Sequence, residues 1–209
     1  MSMVIILYLI MCFNRVIFLI QITMESAKAH IISHFKEIQN EAYERIKDLE
    51  YDPTHAWGAD GSKTYKMPNN EFFKYWVKGW NNSETWLSHL LTMGENGEMN
   101  NTDSIAVKVL REAGQMMDKK LILAGYALLK PGAKIDVHQD ETVSRGWKNV
   151  WHLGLFVADG CHLVVAEGGD KPTLYTEEIG KLIAFDDSNF HGAINNGLKD
   201  RVILYIKWI

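Results

Sequence analysis

The chain has 209 residues, a formal net charge of −4 and an apolar fraction of 47%, enough for one domain with a sizeable core. Charged residues at 23% exclude a disordered body, and the scattered Lys and Arg, without a basic run, argue against a large nucleic-acid surface. Two cysteines, Cys12 and Cys161, exclude a disulfide framework and a Cys/His zinc cluster, and place the body of the chain with reduced, cytoplasmic proteins.

Residues 1–23 differ from the rest. The segments 3–13 and 16–22 are almost wholly apolar and are interrupted by Asn14 and Arg15. Together they approach the roughly 20 residues of a membrane span, but a central Arg costs roughly 2.5–3.5 kcal/mol on insertion scales. A basic n-region and a small-residue cleavage site are missing. The leader is therefore expected to be either a membrane anchor or a dispensable extension before Met24, with 24–209 as a single domain.

In residues 25–50, Ile31, Ile32, Phe35, Ile38, Ala42, Ile46 and Leu49 recur at i, i+3/i+4 spacing, which predicts a helix ended by Tyr51-Asp52-Pro53. A polar, Gly-rich connector follows at 57–63. Residues 71–93 are dense in aromatics and read as one or two helices broken near Asn81-Asn82. Residues 95–101 read as a loop, and 103–117 as a helix with Ile105, Val109 and Ala113 on one face.

After Asp118 the period changes. Short β-type runs span 121–130, 134–138, 149–157, 162–166, 173–176, 181–185, 191–195 and 201–208. Pro131-Gly132, Asp159-Gly160, Gly168-Gly169 and Asn196-Gly197 supply turns between them. This order predicts an α+β domain. Residues 119–209 form a double-stranded β-helix, or jelly roll, and the mainly helical segment 24–118 packs on one side of it.

His138 and Asp140 are two residues apart, so in an extended segment both side chains leave on the same face. His191 opens a later strand and can supply a third ligand. Two His and one carboxylate on one side of an ion leave three positions open, which is the facial triad of non-haem Fe(II) oxygenases. Taken alone, a His-x-Asp is a weak signal. Arg201 stands ten residues after His191, at the head of the apolar run 201–209. A buried Arg there needs an anionic partner. That partner is either the C5 carboxylate of 2-oxoglutarate, which suits a guanidinium fork, or a protein Asp or Glu.

Three separated segments, LLKPGAKIDVHQD, WHLGLFVADGCHLVVA and IGKLIAFDDSNFHGAINNGLKDRVILYIKW, resemble the aspartyl/asparaginyl β-hydroxylase family of 2-oxoglutarate oxygenases. The resemblance covers residues 121–208. It implies that His138 and His191 bind Fe(II), that Arg201 pairs with the 2-oxoglutarate carboxylate, and that His152 is a second co-substrate contact. O₂ would then be the oxidant. The chain departs from the pattern at three positions. Asp140 stands where the founding animal hydroxylase has Gly, and so completes the triad. Val150 replaces a further co-substrate Arg, for which Lys148 is a weak substitute. Ala127 replaces a Ser. Tyr126 and Tyr205 are candidate hydroxyl donors, or simply core residues. Asp186 and Asp187 are expected to brace the loop that aims His191.

The segment 141–148, with Arg145 and Trp147, follows the first ligands and is a natural substrate gate. Arg145 there either binds an acidic substrate or is a solvated loop charge. The expected substrate is an amino-acid side chain in a protein, a peptide or a free amino acid. A nucleic-acid partner is not expected, and a membrane one only if residues 3–22 are an anchor. Two alternatives remain open at this point. One is a cupin-like metal enzyme that does not use 2-oxoglutarate, and the other is a non-enzymatic jelly-roll binding domain with structural histidines. An Arg201 that salt-bridges a protein carboxylate and points away from the metal would favour the first of these.

Overall fold

In the computed structural model, all eight runs read as strands after Asp118 form strands. The structure describes residues 21–49, 51–56, 76–79, 83–94, 99–100, 103–140, 149–166 and 171–209. The helices are α1 (21–33), α2 (Phe35–Lys47) and α3 (Ile105–Met117). The strands are β1 (Tyr51–Ala56), β2 (Trp76–Gly79), β3 (Ser83–Met93), β4 (Met99–Asn100), β5 (Leu121–Leu129), β6 (Lys134–His138), β7 (Asn149–Phe156), β8 (Cys161–Ala166), β9 (Thr173–Thr176), β10 (Leu182–Phe185), β11 (Phe190–Asn195) and β12 (Arg201–Trp208).

Two sheets form. The larger runs β1-β2-β3-β5-β12-β7-β10, with β4 on β3, and the smaller runs β6-β11-β8-β9. Of the pairings between described strands, only β1 with β2 is parallel. The expected jelly roll is present.

The period-two alternation of β12 divides the molecule. Val202, Leu204, Ile206 and Trp208 join Trp151, Leu153 and Leu155 of β7 in a layer that also takes Ala27, Ile31, Ile38, Ala42, Val107, Leu110 and Ala113 from the helices. Each large apolar side chain buried there contributes roughly 1.5–3 kcal/mol. The other face of β12 turns toward the smaller sheet, where Val150, Leu163, Val165, Ile183 and Phe185 line the barrel interior with Tyr205 against them. The helices thus cover one face of the large sheet, as expected. The helical stripes are narrower than the spacing suggested, because Ile32 and Ile105 are exposed.

The segment read as one or two helices over 71–93 is corrected. Its described part is β2 and β3, which extend the large sheet. β3 pairs with β5 from Trp86↔Leu129 to Met93↔Leu123. The same aromatic and apolar residues fit a helical period in isolation, and the exposed edge of β5 decides for a strand. The described part of 24–118 is therefore a mixture of helix and strand.

α3 is capped by Ser104, whose side chain accepts from Val107 N, and by Asp118 in the left-handed conformation. Glu41 of α2 also accepts from Ala106 N at 3.0 Å and so locks the two helices together. Residues 1–20 of the leader 1–23, and the proposed gate 141–148 with Arg145, Trp147 and Lys148, lie outside the described residues. Among the described residues no helix is long and apolar enough to cross a membrane.

Candidate metal centre

β6 and β11 are antiparallel neighbours with His138 directly opposite His191. Gly192 makes their close approach feasible, since a Cβ there would lie 2.7 Å from the Ile135 carbonyl oxygen. The two imidazole centroids are 4.4 Å apart. Asp140, two residues beyond His138, brings its Oδ1 to 3.6 Å from His138 Nε2. One ligand atom from each of His138, Asp140 and His191 lies within 4.8 Å of the others. The sequence-predicted triad is therefore assembled from two strands and the turn that leaves β6.

Both histidines are held in the same way. His138 Nδ1 bonds the Asp136 carbonyl at 2.7 Å, and His191 Nδ1 bonds the Asn189 carbonyl at 2.9 Å. A ring that donates through Nδ1 presents the Nε2 lone pair to an ion. Burial holds the His191 imidazole down to about 4, so its neutral, ligating form dominates at pH 7. Two imidazole nitrogens and a carboxylate oxygen on one side are the donor set of an octahedral Fe(II) site with open positions. The residues present fit such an ion.

Three side chains surround the triad: Lys207, which the sequence did not single out, Tyr205, read as a candidate hydroxyl donor, and Asp187, read as a brace. Lys207, buried on the inner face of β12, donates to Asp140 Oδ2 at 3.0 Å and also pairs with Asp187. The Tyr205 hydroxyl lies 3.4 Å from the same Asp140 oxygen. Burial alone would raise the Asp140 carboxyl, but Lys207 holds it below the usual carboxylate range. Asp187 is pushed up to about 6, chiefly by burial and despite Lys207. The bracing role expected of the Asp186-Asp187 pair is divided. Asp186 Oδ1 accepts from Ser188 N at 2.9 Å and forms the turn before His191, whereas Asp187 faces Lys207 and Asp140. Gln139 Nε2 ties this turn to the ligand segment through the Ser188 carbonyl at 2.8 Å.

Tyr126 is corrected as a hydroxyl donor to the site. It belongs to the layer beneath the helices and stacks near His89, on the opposite face of the sheet. Tyr205 is inside the barrel.

Arg201 and His152 also point inward. His152 is opposite Tyr205 on the neighbouring strand, with ring centroids 5.5 Å apart. Arg201 is 1% exposed and grips Glu177 as a fork, through Nε to Oε2 and through Nη2 to Oε1 at 2.5 Å. His152 Nδ1 lies 3.4 Å from Glu177 Oε1. Of the two partners that the sequence allows for Arg201, the structure supplies the protein carboxylate. Burial would raise the Glu177 carboxyl, but Arg201 and His152 bring it down to about 2. Burial lowers the His152 imidazole.

Glu177 went unnoticed because it follows β9 in a turn, with no motif around it. The one local signal is Gly154. A Cβ there would lie 2.2 Å from the Glu178 carbonyl oxygen, so the 177–180 segment can cross β7 only over a glycine. Asn195 fixes the start of β12 by donating to the Leu129 and Lys199 carbonyls at 2.8 and 2.9 Å and accepting from Gly197 N at 3.0 Å.

Residues 32–209 match the family model described as aspartyl/asparaginyl beta-hydroxylase. An uncharacterised protein of Acanthamoeba polyphaga mimivirus is 26% identical over 133 residues, which is 63% of this chain and 46% of that protein. The chain thus spans about half the length of the curated relative it matches. An oxidoreductase of the 2OG-Fe(II) oxygenase family from Burkholderia pseudomallei has a similar fold, with a TM-score of 0.51 at 15% identity over 60% of this chain and 68% of that one.

Proposed function

Because the chain belongs to the aspartyl/asparaginyl beta-hydroxylase family, we propose that it is an Fe(II)-dependent oxygenase that hydroxylates an amino-acid side chain in a protein, a peptide or a free amino acid, with 2-oxoglutarate as co-substrate. The observation that carries this reading is the convergence of His138, Asp140 and His191 within 4.8 Å. Bound by these three residues, Fe(II) would supply O₂ activation for insertion into a C–H bond, coupled to oxidation of 2-oxoglutarate to succinate and CO₂.

The chain's own residues prepare that site. The two backbone carbonyls engage Nδ1 of both imidazoles, which would leave Nε2 of each ring to hold the ion. Lys207 and Tyr205 bind the second oxygen of Asp140 and leave Oδ1 for the metal. Phe185, whose ring centroid is 5.3 Å from that of His191, and the apolar interior around Val150 and Ile183 keep water from the reacting face. His152 and Arg201 are the co-substrate contacts that the family resemblance implies, and both face Glu177 here.

The metal fits the residues present. The distal carboxylate of 2-oxoglutarate does not fit an Arg201 whose fork is already filled by Glu177. That pair favours a second reading, in which the metal supports oxidation without 2-oxoglutarate. Succinate formation from 2-oxoglutarate with added Fe(II), compared with the His138→Ala and Arg201→Ala variants, separates the two. Metal-dependent succinate that is lost in both variants supports the first reading, and full turnover in either variant removes that residue from the site. Absence of Fe(II), Mn(II) or Ni(II) binding by calorimetry would favour a non-enzymatic jelly-roll domain.

A further inference from the structure

We propose that Glu177 is a specificity-determining residue, a built-in anion that competes with the distal carboxylate of a 2-oxo acid for Arg201. The inference rests on the proposed metal reading and concerns which acid the same pocket takes.

Contacts run inward from the metal triad to Arg201. The rings of His191 and Phe185 are 5.3 Å apart, and those of Phe185 and His152 are 5.1 Å apart. His152 Nδ1 is 3.4 Å from Glu177, and Glu177 holds Arg201 through both carboxylate oxygens. Glu177 is therefore the carboxylate that links His152 to the guanidinium. A carboxylate that sought the same Nε/Nη2 edge of Arg201 would have to displace this anion. Two carboxylates cannot both occupy one guanidinium fork, and in a buried site their like charges repel.

Glu177 is placed by the backbone and not by a loose side chain. Its N–H bonds the Cys161 carbonyl at 3.1 Å. The turn that follows crosses Gly154, with Gly180 N bonded to the Gly154 carbonyl at 2.8 Å and Gly154 N bonded to the Lys181 carbonyl at 3.1 Å. Gly180 takes φ +77 in that turn. The carboxylate side chain is 2% exposed, so solvent does not compete for it. A 2-oxo acid with one carboxylate makes no demand on Arg201, and Glu177 leaves its binding unhindered.

The test uses full-length protein loaded with Mn(II), which holds the same ligand set without turnover. Calorimetry measures the affinities for 2-oxoglutarate and for pyruvate, which share the chelating 2-oxo acid group and differ in the distal carboxylate. Wild-type protein is expected to bind the two within about threefold, because the fork is taken. Glu177→Gln is expected to tighten 2-oxoglutarate at least about tenfold and to leave pyruvate within about twofold. A wild-type preference of about thirtyfold or more for 2-oxoglutarate overturns the proposal, as does a folded Glu177→Gln variant with unchanged 2-oxoglutarate affinity. If that variant does not fold, the wild-type ratio decides. Failure to bind Mn(II) overturns the metal reading and this inference with it, whereas Mn(II) binding with a strong dicarboxylate preference overturns the inference alone.

Discussion

Lys207 Nζ sits 3.0 Å from Asp140 Oδ2 and pairs on its other side with Asp187. One buried ammonium thus holds two carboxylates that would otherwise face each other, and one of them belongs to the candidate metal triad. Asp140 is the one carboxylate among the three candidate ligands. The cation beside it lets that carboxylate remain ionised inside the barrel.

Removing this cation is expected to affect both stability and metal binding. Lys207→Met leaves the buried Asp187 and the half-buried Asp140 without a counter-charge, a loss of about 3–5 kcal/mol. Asp187→Asn added to it is expected to restore part of that loss. Misorientation of Asp140 should weaken Mn(II) by about 10–100-fold. Urea unfolding and calorimetry read the two effects separately, and unchanged Mn(II) affinity in a folded variant would remove Lys207 from any role at the metal.

The triad itself predicts a ligand-dependent stability. Mn(II) at about one hundred times its dissociation constant is expected to stabilise the wild type by about 2.7 kcal/mol. His138→Ala and His191→Ala should each abolish the stabilisation while leaving the metal-free fold intact. A chelator should reverse it in the wild type. The rise in Tm on adding metal is the measurement, and an equal rise in the His138→Ala protein contradicts the assignment.

The Arg201–Glu177 pair is expected to be costly to break and cheap to replace. Arg201→Ala leaves an unpaired buried carboxylate, a loss of about 3–5 kcal/mol. Arg201→Met combined with Glu177→Leu should recover most of it, because two apolar side chains suit the same interior. Unfolding free energies of the single and double variants form the cycle that measures the coupling.

Acid should weaken this pair in a defined window. Glu177 ionises at about 2 in the folded chain against an ordinary value of 4.5. A carboxyl depressed by folding contributes stability that is complete above 4.5 and is lost as pH falls toward 2, because the unfolded chain takes up the proton first. The urea midpoint of the metal-free protein is therefore expected to fall across that range. The fall should be shallower in the Arg201→Met/Glu177→Leu protein, and equal slopes would contradict the depressed value.

Gly154 offers a steric test. Gly154→Ala puts a methyl 2.2 Å from the Glu178 carbonyl oxygen, which the turn can relieve only by lifting away from β7. A destabilisation of about 1–3 kcal/mol or more is expected. A variant as stable as the wild type would show that the turn is not packed on the strand.

The sequence alone determined the strand-rich half of the fold. The eight runs after Asp118 have their own period and their own turn residues, and each formed close to where it was expected. It also supplied His138, Asp140 and His191, since a two-residue spacing in extended chain needs no tertiary information to share a face. It did not determine β2 and β3, where aromatic density fits either period and pairing with β5 chose the strand. Nor did it determine Glu177, Lys207 or Asp187 as partners. A buried charge announces that it needs a counter-ion, but the partner is picked by which strands and turns the closed barrel sets opposite one another. Arg201 makes the point most directly: its burial was legible from the apolar run around it, while the carboxylate that fills its fork lies 24 residues away, and only barrel closure brings the two together.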